Sequence, residues 1–246
     1  MDTRFWGPSA WQLFHLIAEG SRKPLPTLAY VGIILPCKFC RESTTNFISD
    51  TPPSKTISLG HWLYEIHRKV NHKLVTQAKT DEKVILPDPD PTYDDVHKKY
   101  AELLKKKPHA VPGRDFLFSI AYNYPEHPEF DDINTQQGFL RMLAKTYPFL
   151  ELRKAYVHYL TKHPIALESR TLYLRWMYGL LKTLSAKTKS PIRTFRGYAH
   201  HVAYYKSGCA KPTYHGKTCR RLDNGGFTKS RDNRRTRRIA FGGLLT

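Results

Sequence analysis

The chain has little acid, little cysteine and no long hydrophobic run. Over 246 residues, 21 Asp and Glu face 40 Lys and Arg, for a formal net charge of +19. The longest uninterrupted apolar stretch, residues 28–35, is too short for a membrane-spanning helix. The start, Met1-Asp2-Thr3-Arg4-Phe5-Trp6, has neither a basic leader nor an apolar core segment, so no secretory signal is expected. Four cysteines are too few to build a fold from disulfides, and without an export signal they point to chemistry. Alternating apolar and polar positions are missing throughout, which argues against a sheet and predicts an all-α fold. A content of 40% hydrophobic and 13% aromatic residues excludes wholesale disorder and leaves room for one large domain or two modest ones.

The positive charge is unevenly spread. Residues 187–246 hold 15 Lys and Arg against 2 Asp and Glu, with Gly-Gly pairs at Gly225-Gly226 and Gly242-Gly243. The composition predicts an extended, poorly structured basic tail that attracts polyanions through counterion release, or a solvated tail that keeps the protein soluble.

Helical period marks the rest. Trp11, Phe14, His15 and Ala18 share one face of a first helix over 6–19, with Pro8 suited to its first turn. A second helix is expected from Pro26 or Thr27 to Leu35, broken by Pro36, which starts a third that closes at Pro52-Pro53. A fourth covers 58–78. The stiff acidic segment Pro87-Asp88-Pro89-Asp90-Pro91 precedes a short fifth over 93–106. Further helices are expected over 115–122, over 135–162 with a break at Pro148, and over 168–186. The resulting division is 1–106, 107–186 and 187–246.

The second of these regions reads as a faded copy of the first. Pro36-Cys37-Lys38-Phe39-Cys40-Arg41 aligns with Pro148-Phe149-Leu150-Glu151-Leu152-Arg153, Trp62-Leu63-Tyr64 with Trp176-Met177-Tyr178, and Leu13-Phe14 with Leu117-Phe118. Both cysteines are apolar in the second version, and the helix histidine falls on Leu181. Helical bundles can also share such patterns by chance.

Cys37-x-x-Cys40 is the strongest local signal. Two thiols so spaced serve redox work or half a zinc site. Zinc needs two more ligands, and Cys209 and Cys219 lie far along the chain without the usual short pairing. No metal site is therefore expected. Before the thiols stands Trp6-Gly7-Pro8-Ser9-Ala10-Trp11-Gln12-Leu13-Phe14-His15; after them stands Trp62-Leu63-Tyr64-Glu65-Ile66-His67-Arg68-Lys69-Val70-Asn71-His72-Lys73-Leu74. Taken in order, these motifs resemble the Erv/ALR family of FAD-dependent sulfhydryl oxidases, over roughly residues 3–105. The short form, without the family's additional cysteines, looks most like enzymes of large DNA viruses.

The resemblance implies a four-helix bundle with a short fifth helix that binds FAD. It implies that Arg4, Trp6, Gly7, Trp11, His15, His67, Val70, Asn71 and Leu74 line the cofactor and that Lys73 meets its phosphates, while the residues themselves offer Trp62 as a further aromatic wall. Tyr100 or Tyr93 would stand for the family's late aromatic residue. Arg68 replaces a family asparagine. Cys40 would face the flavin and Cys37 would exchange with a substrate thiol, so Cys37 is expected to be the more exposed of the two. Protein thiols would be the substrate and O2 the acceptor, giving H2O2, in a homodimer acting in a virion or at an assembly site in host cytoplasm. Cys209 and Cys219 fit a shuttle pair on a mobile arm, two idle thiols, or a disulfide of the tail. The competing class is a binding module: a basic-armed virion protein that docks on nucleic acid or an acidic partner, with the oxidase fold secondary.

Overall fold

Local capping chemistry sets where the helices begin. The computed structural model describes residues 1–54, 57–80 and 87–207, and no strand occurs among them. Asp2 caps α1 (Thr3–Gly20) by accepting from the Arg4 amide, and Ser58 caps α4 (Leu59–Ala78) by accepting from that of His61. Cys37 opens α3 (Lys38–Asp50) with its sulfur facing the Cys40 amide. Thr92, Ser169 and Thr194 cap α5 (Tyr93–Leu104), α9 (Arg170–Ser185) and α10 (Phe195–Ala203). The remaining helices are α2 (Leu25–Leu28), α6 (Arg114–Tyr122), α7 (Phe130–Thr146) and α8 (Leu150–Lys162).

Three expectations are corrected. Pro8 lies inside α1 rather than in its first turn, because the Asp2 cap starts the helix earlier. The apolar stretch 28–35 is mostly not helical: α2 is a single turn, followed by turns in which Tyr30, Val31 and Ile33 donate to carbonyls three residues back. This stretch packs closely on α3, where a β-carbon on Gly32 would lie 2.9 Å from Thr45 Oγ1. Finally, part of the expected tail is folded. Along α10 and just beyond it, Tyr198, Val202 and Tyr205 are buried. The Tyr198 hydroxyl donates to Asp115 at 2.6 Å, Phe5 stacks on Tyr205, and the Asp2 amide donates to the Tyr205 carbonyl. Residues 208–246, with Cys209, Cys219 and the arginine-rich stretch 231–238, lie outside the described residues.

Helix α1 is central. It packs against α4 and α5 on one side and against α6 on the other. One buried apolar cluster runs from Met1 through Leu13, Phe14 and Ile17 to Phe116, Met177 and Tyr205, so the two halves share a core. A smaller cluster, Leu16, Tyr64, Val96 and Tyr100, sits between α1, α4 and α5.

The two halves place equivalent landmarks at equivalent points. Cys37 caps α3, and Phe149 caps α8 with a positive φ of 65°. Trp62 Nε1 donates to the carbonyl of Thr51, the C-cap of α3, at 2.8 Å; Trp176 Nε1 donates to that of His163, the C-cap of α8, at 3.0 Å. As α3 packs on α4, so α8 packs on α9; as α1 packs on α4, so α6 packs on α9. In the second half, Ser119 and Leu181 occupy the positions of His15 and His67.

Candidate redox site

Arg4, Gly7, Trp11 and His15 recur at helical spacing on one face of α1. His67, Val70, Asn71 and Leu74 do so on α4. The two faces meet through their rings. Trp11 stacks on His67 with centroids 3.9 Å apart and planes 9° off parallel. His15 Nε2 and His67 Nδ1 are 3.1 Å apart, within hydrogen-bond reach, and Tyr100 of α5 stacks on His15 at 4.9 Å. Both histidines are fully buried. Burial, reinforced by the Lys99 ammonium, lowers the His15 pKa to about 3, so its ring is neutral at physiological pH. Burial raises that of Tyr100, which stays a phenol.

Tyr100, then, joins the ring stack. Tyr93 instead stacks on His61 at the start of α4, with its hydroxyl 3.1 Å from Ser58. Trp6 is placed elsewhere too. It lies nine residues before His15, which at 100° per residue is the opposite face of α1, and it packs tilted against Phe116 of α6. Its Nε1 is buried with no hydrogen-bond partner among the described residues. Trp62 is buried and tied to the end of α3, and it makes no ring contact with the stack.

The remaining polar residues have definite partners. Arg4 forms a two-pronged ion pair with buried Asp2, at 3.1 and 2.7 Å. Lys73 Nζ donates to Ser43 Oγ at 2.6 Å, linking α4 to α3. Asn71 Nδ2 donates to Asp90 Oδ1 at 2.7 Å, and the Tyr64 hydroxyl donates to the Pro91 carbonyl. The proline-rich acidic segment is thereby strapped along α4, where the sequence suggested only a break. Arg68 is exposed and pairs with Glu65 and, at 3.8 Å, with Asp90. Asp90 and Lys99 are the neighbours that the motifs did not reveal. The carboxylate among prolines was the available signal for Asp90.

The thiols of Cys37 and Cys40 are 2.8 Å apart, Sγ to Sγ. Little movement separates them from a disulfide. Their exposure reverses the expectation: Cys37 is 1% exposed and belongs to the main apolar cluster, whereas Cys40 is only partly buried. The reason is the cap. A residue that opens a helix turns its side chain back over the first turn, and here that side faces the core.

The α1 and α4 faces also suit a flat ring system. Gly7 is buried, yet a β-carbon built on it meets no heavy atom within 4 Å, so open space lies in front of this part of α1. Aromatic walls, a neutral histidine and an amide beside such a space fit a flat ring system with a few polar edges. Among the described residues no group of His, Cys, Asp and Glu is arranged to hold a metal ion, and no helix is long and apolar enough to cross a membrane.

Comparison with known proteins agrees with this geometry. Residues 8–87 match the model of the Erv1 / Alr family. No curated protein and no solved structure matches the chain. The matched segment includes Trp11, His15, both thiols, His67 and Asn71, and over residues 8–87 the chain is similar to the Erv1 / Alr family.

Proposed function

We propose that the protein is an FAD-linked thiol oxidase that makes disulfides in protein substrates and passes the electrons to O2. The observation that carries this reading is the close Cys37–Cys40 pair at the start of α3, which packs on the helix bearing His67 and Asn71. Two substrate thiols become one disulfide as the oxidised Cys37–Cys40 pair is reduced to the dithiol. Bound FAD would supply the two-electron acceptor that reoxidises the Cys37–Cys40 dithiol, with O2 as the final oxidant giving H2O2.

The chain's own residues have separable tasks. Trp11, His67, His15 and Tyr100 wall the site and exclude water, with Gly7 leaving the room. Asn71 supplies a fixed amide, Val70 and Leu74 extend the apolar face, and Lys73 and Arg4 are the cations available to phosphates. Trp62 supports α3 from behind. Cys40, the thiol nearer solvent, is the better placed for first contact with a substrate, and Cys37 for the step behind it.

The test is to purify the protein with FAD and measure O2 uptake with a reduced protein substrate. Cys37→Ser and Cys40→Ser should each abolish turnover while flavin absorbance persists. Given the oxidised substrate, the variant that keeps Cys40 should be trapped as a mixed disulfide, its thiolate attacking the substrate disulfide and releasing one substrate thiol. Normal turnover in either variant overturns the assignment, and trapping on Cys37 alone reverses the order of the two thiols.

The short-form motifs support action in a virion or at an assembly site in host cytoplasm, and the resemblance supports a homodimer. The matching helix order and paired tryptophans support a second half descended from the first by duplication. The +19 charge supports a second role, docking on nucleic acid or an acidic partner through the basic tail. DNA binding whose affinity falls steeply with salt tests that role.

A further inference from the structure

Where the two halves meet, the turn after α1 faces the end of α7 and the first turn of α8 across a cleft of about 650 Å³. Its walls carry four cations. Arg22 and Lys23 come from the first half, and Lys145 and Arg153 from the second. None of the four has an ion-pair partner among the described residues, and no carboxylate lines the cleft. Thr146, which lines the cleft, has its hydroxyl 2.7 Å from that of buried Thr27 and donates to the Met142 carbonyl, so this hydrogen bonding joins α2 to α7 beside the cations.

Four like charges around one concavity repel one another and focus a positive potential that a bound polyanion relieves. The volume is that of a small-ligand pocket. No aromatic side chain lines it, so nothing there stacks on a base. The charged groups instead suit several phosphates held close together, with the two guanidinium groups able to grip them in pairs. We propose that this cleft is a binding site for a compact oligophosphate, either inorganic polyphosphate or the phosphate chain of a nucleotide. None of its lining residues belongs to the redox site, and the proposal does not depend on the thiol chemistry.

Calorimetric titration of the full chain with tripolyphosphate and with ATP, at constant ionic strength, tests it. Saturable binding is expected, weakened at least tenfold in Arg22→Ala/Lys145→Ala. The charge-matched control Lys107→Ala/Lys187→Ala, which removes two exposed lysines outside the cleft, should bind like the natural chain. Lys23→Glu, at an exposed turn, should weaken binding similarly, and unchanged melting temperatures without ligand show that each variant is folded. Equal affinity for the two ligands assigns the inorganic chain, and tighter binding of ATP assigns a nucleotide. No saturation, or the same loss in the cleft and control variants, overturns the site.

Discussion

Gly113 lies directly against Leu13: a β-carbon on Gly113 would come 2.5 Å from the Cδ2 atom of Leu13. Gly113 also has a φ of +75°, which side-chain-bearing residues seldom adopt. The glycine is thus required twice, once for the turn into α6 and once for the approach of α6 to α1. Gly113→Ala should destabilise the chain by about 1–3 kcal/mol, through strain and displacement of Leu13 together. Urea unfolding measures it, and an unchanged midpoint would show that the seam adjusts freely.

Trp62 and Trp176 make the same bond at two places in the chain. Each fastens the end of one helix to the next through its indole N–H. Trp62→Phe and Trp176→Phe should each lose about 1–3 kcal/mol, from the hydrogen bond, the stranded carbonyl and the lost ring volume. Similar losses are expected because both rings are buried. A wide difference, read from denaturant midpoints, would mean that the two bonds are not equivalent.

His15 gives the fold an acid-sensitive side. Its folded pKa is lowered from 6.5 to about 3, so below about pH 6.5 the unfolded chain takes up a proton that the folded chain refuses. The stability it supports is therefore full above pH 6.5 and declines as the pH falls toward 3, by about 1.4 kcal/mol per pH unit. His15→Gln removes this titration. Urea midpoints between pH 7 and pH 4 should fall less steeply in the variant, and parallel curves would refute the assignment.

Tyr198 anchors α10. Burial first, and the neighbouring Asp115 carboxylate second, raise its pKa and keep its hydroxyl a donor. Tyr198→Phe should cost about 1.5–3 kcal/mol, the range for a hydrogen bond to a charged group. Amides of α10 should exchange faster in the variant. Unaltered exchange would place the anchor in the Phe5–Tyr205 stack instead.

The order of the helices and most of their limits were legible because they follow from local signals, whereas the contact of His15 with His67, 52 residues apart, was not. Serine, threonine and proline punctuate the chain, and motif residues spaced three or four apart must share a face. The separation of Trp6 from His15 was legible by the same rule, though the shared motif hides it. Burial of Cys37 below Cys40 was not legible, since C-x-x-C spacing does not say on which side the core lies. Nor was α10, which with the turn after it buries Tyr198, Val202 and Tyr205 among basic residues and docks on Asp115, Asp2 and Phe5, far away in sequence.

Because α1 carries the redox-site residues on one face and the seam with α6 on the other, neither half has a complete core without it. The consequence is cooperative unfolding. Heat should melt the described helices in a single calorimetric transition, and a ligand that tightens the first half should raise the melting point of the second by the same amount.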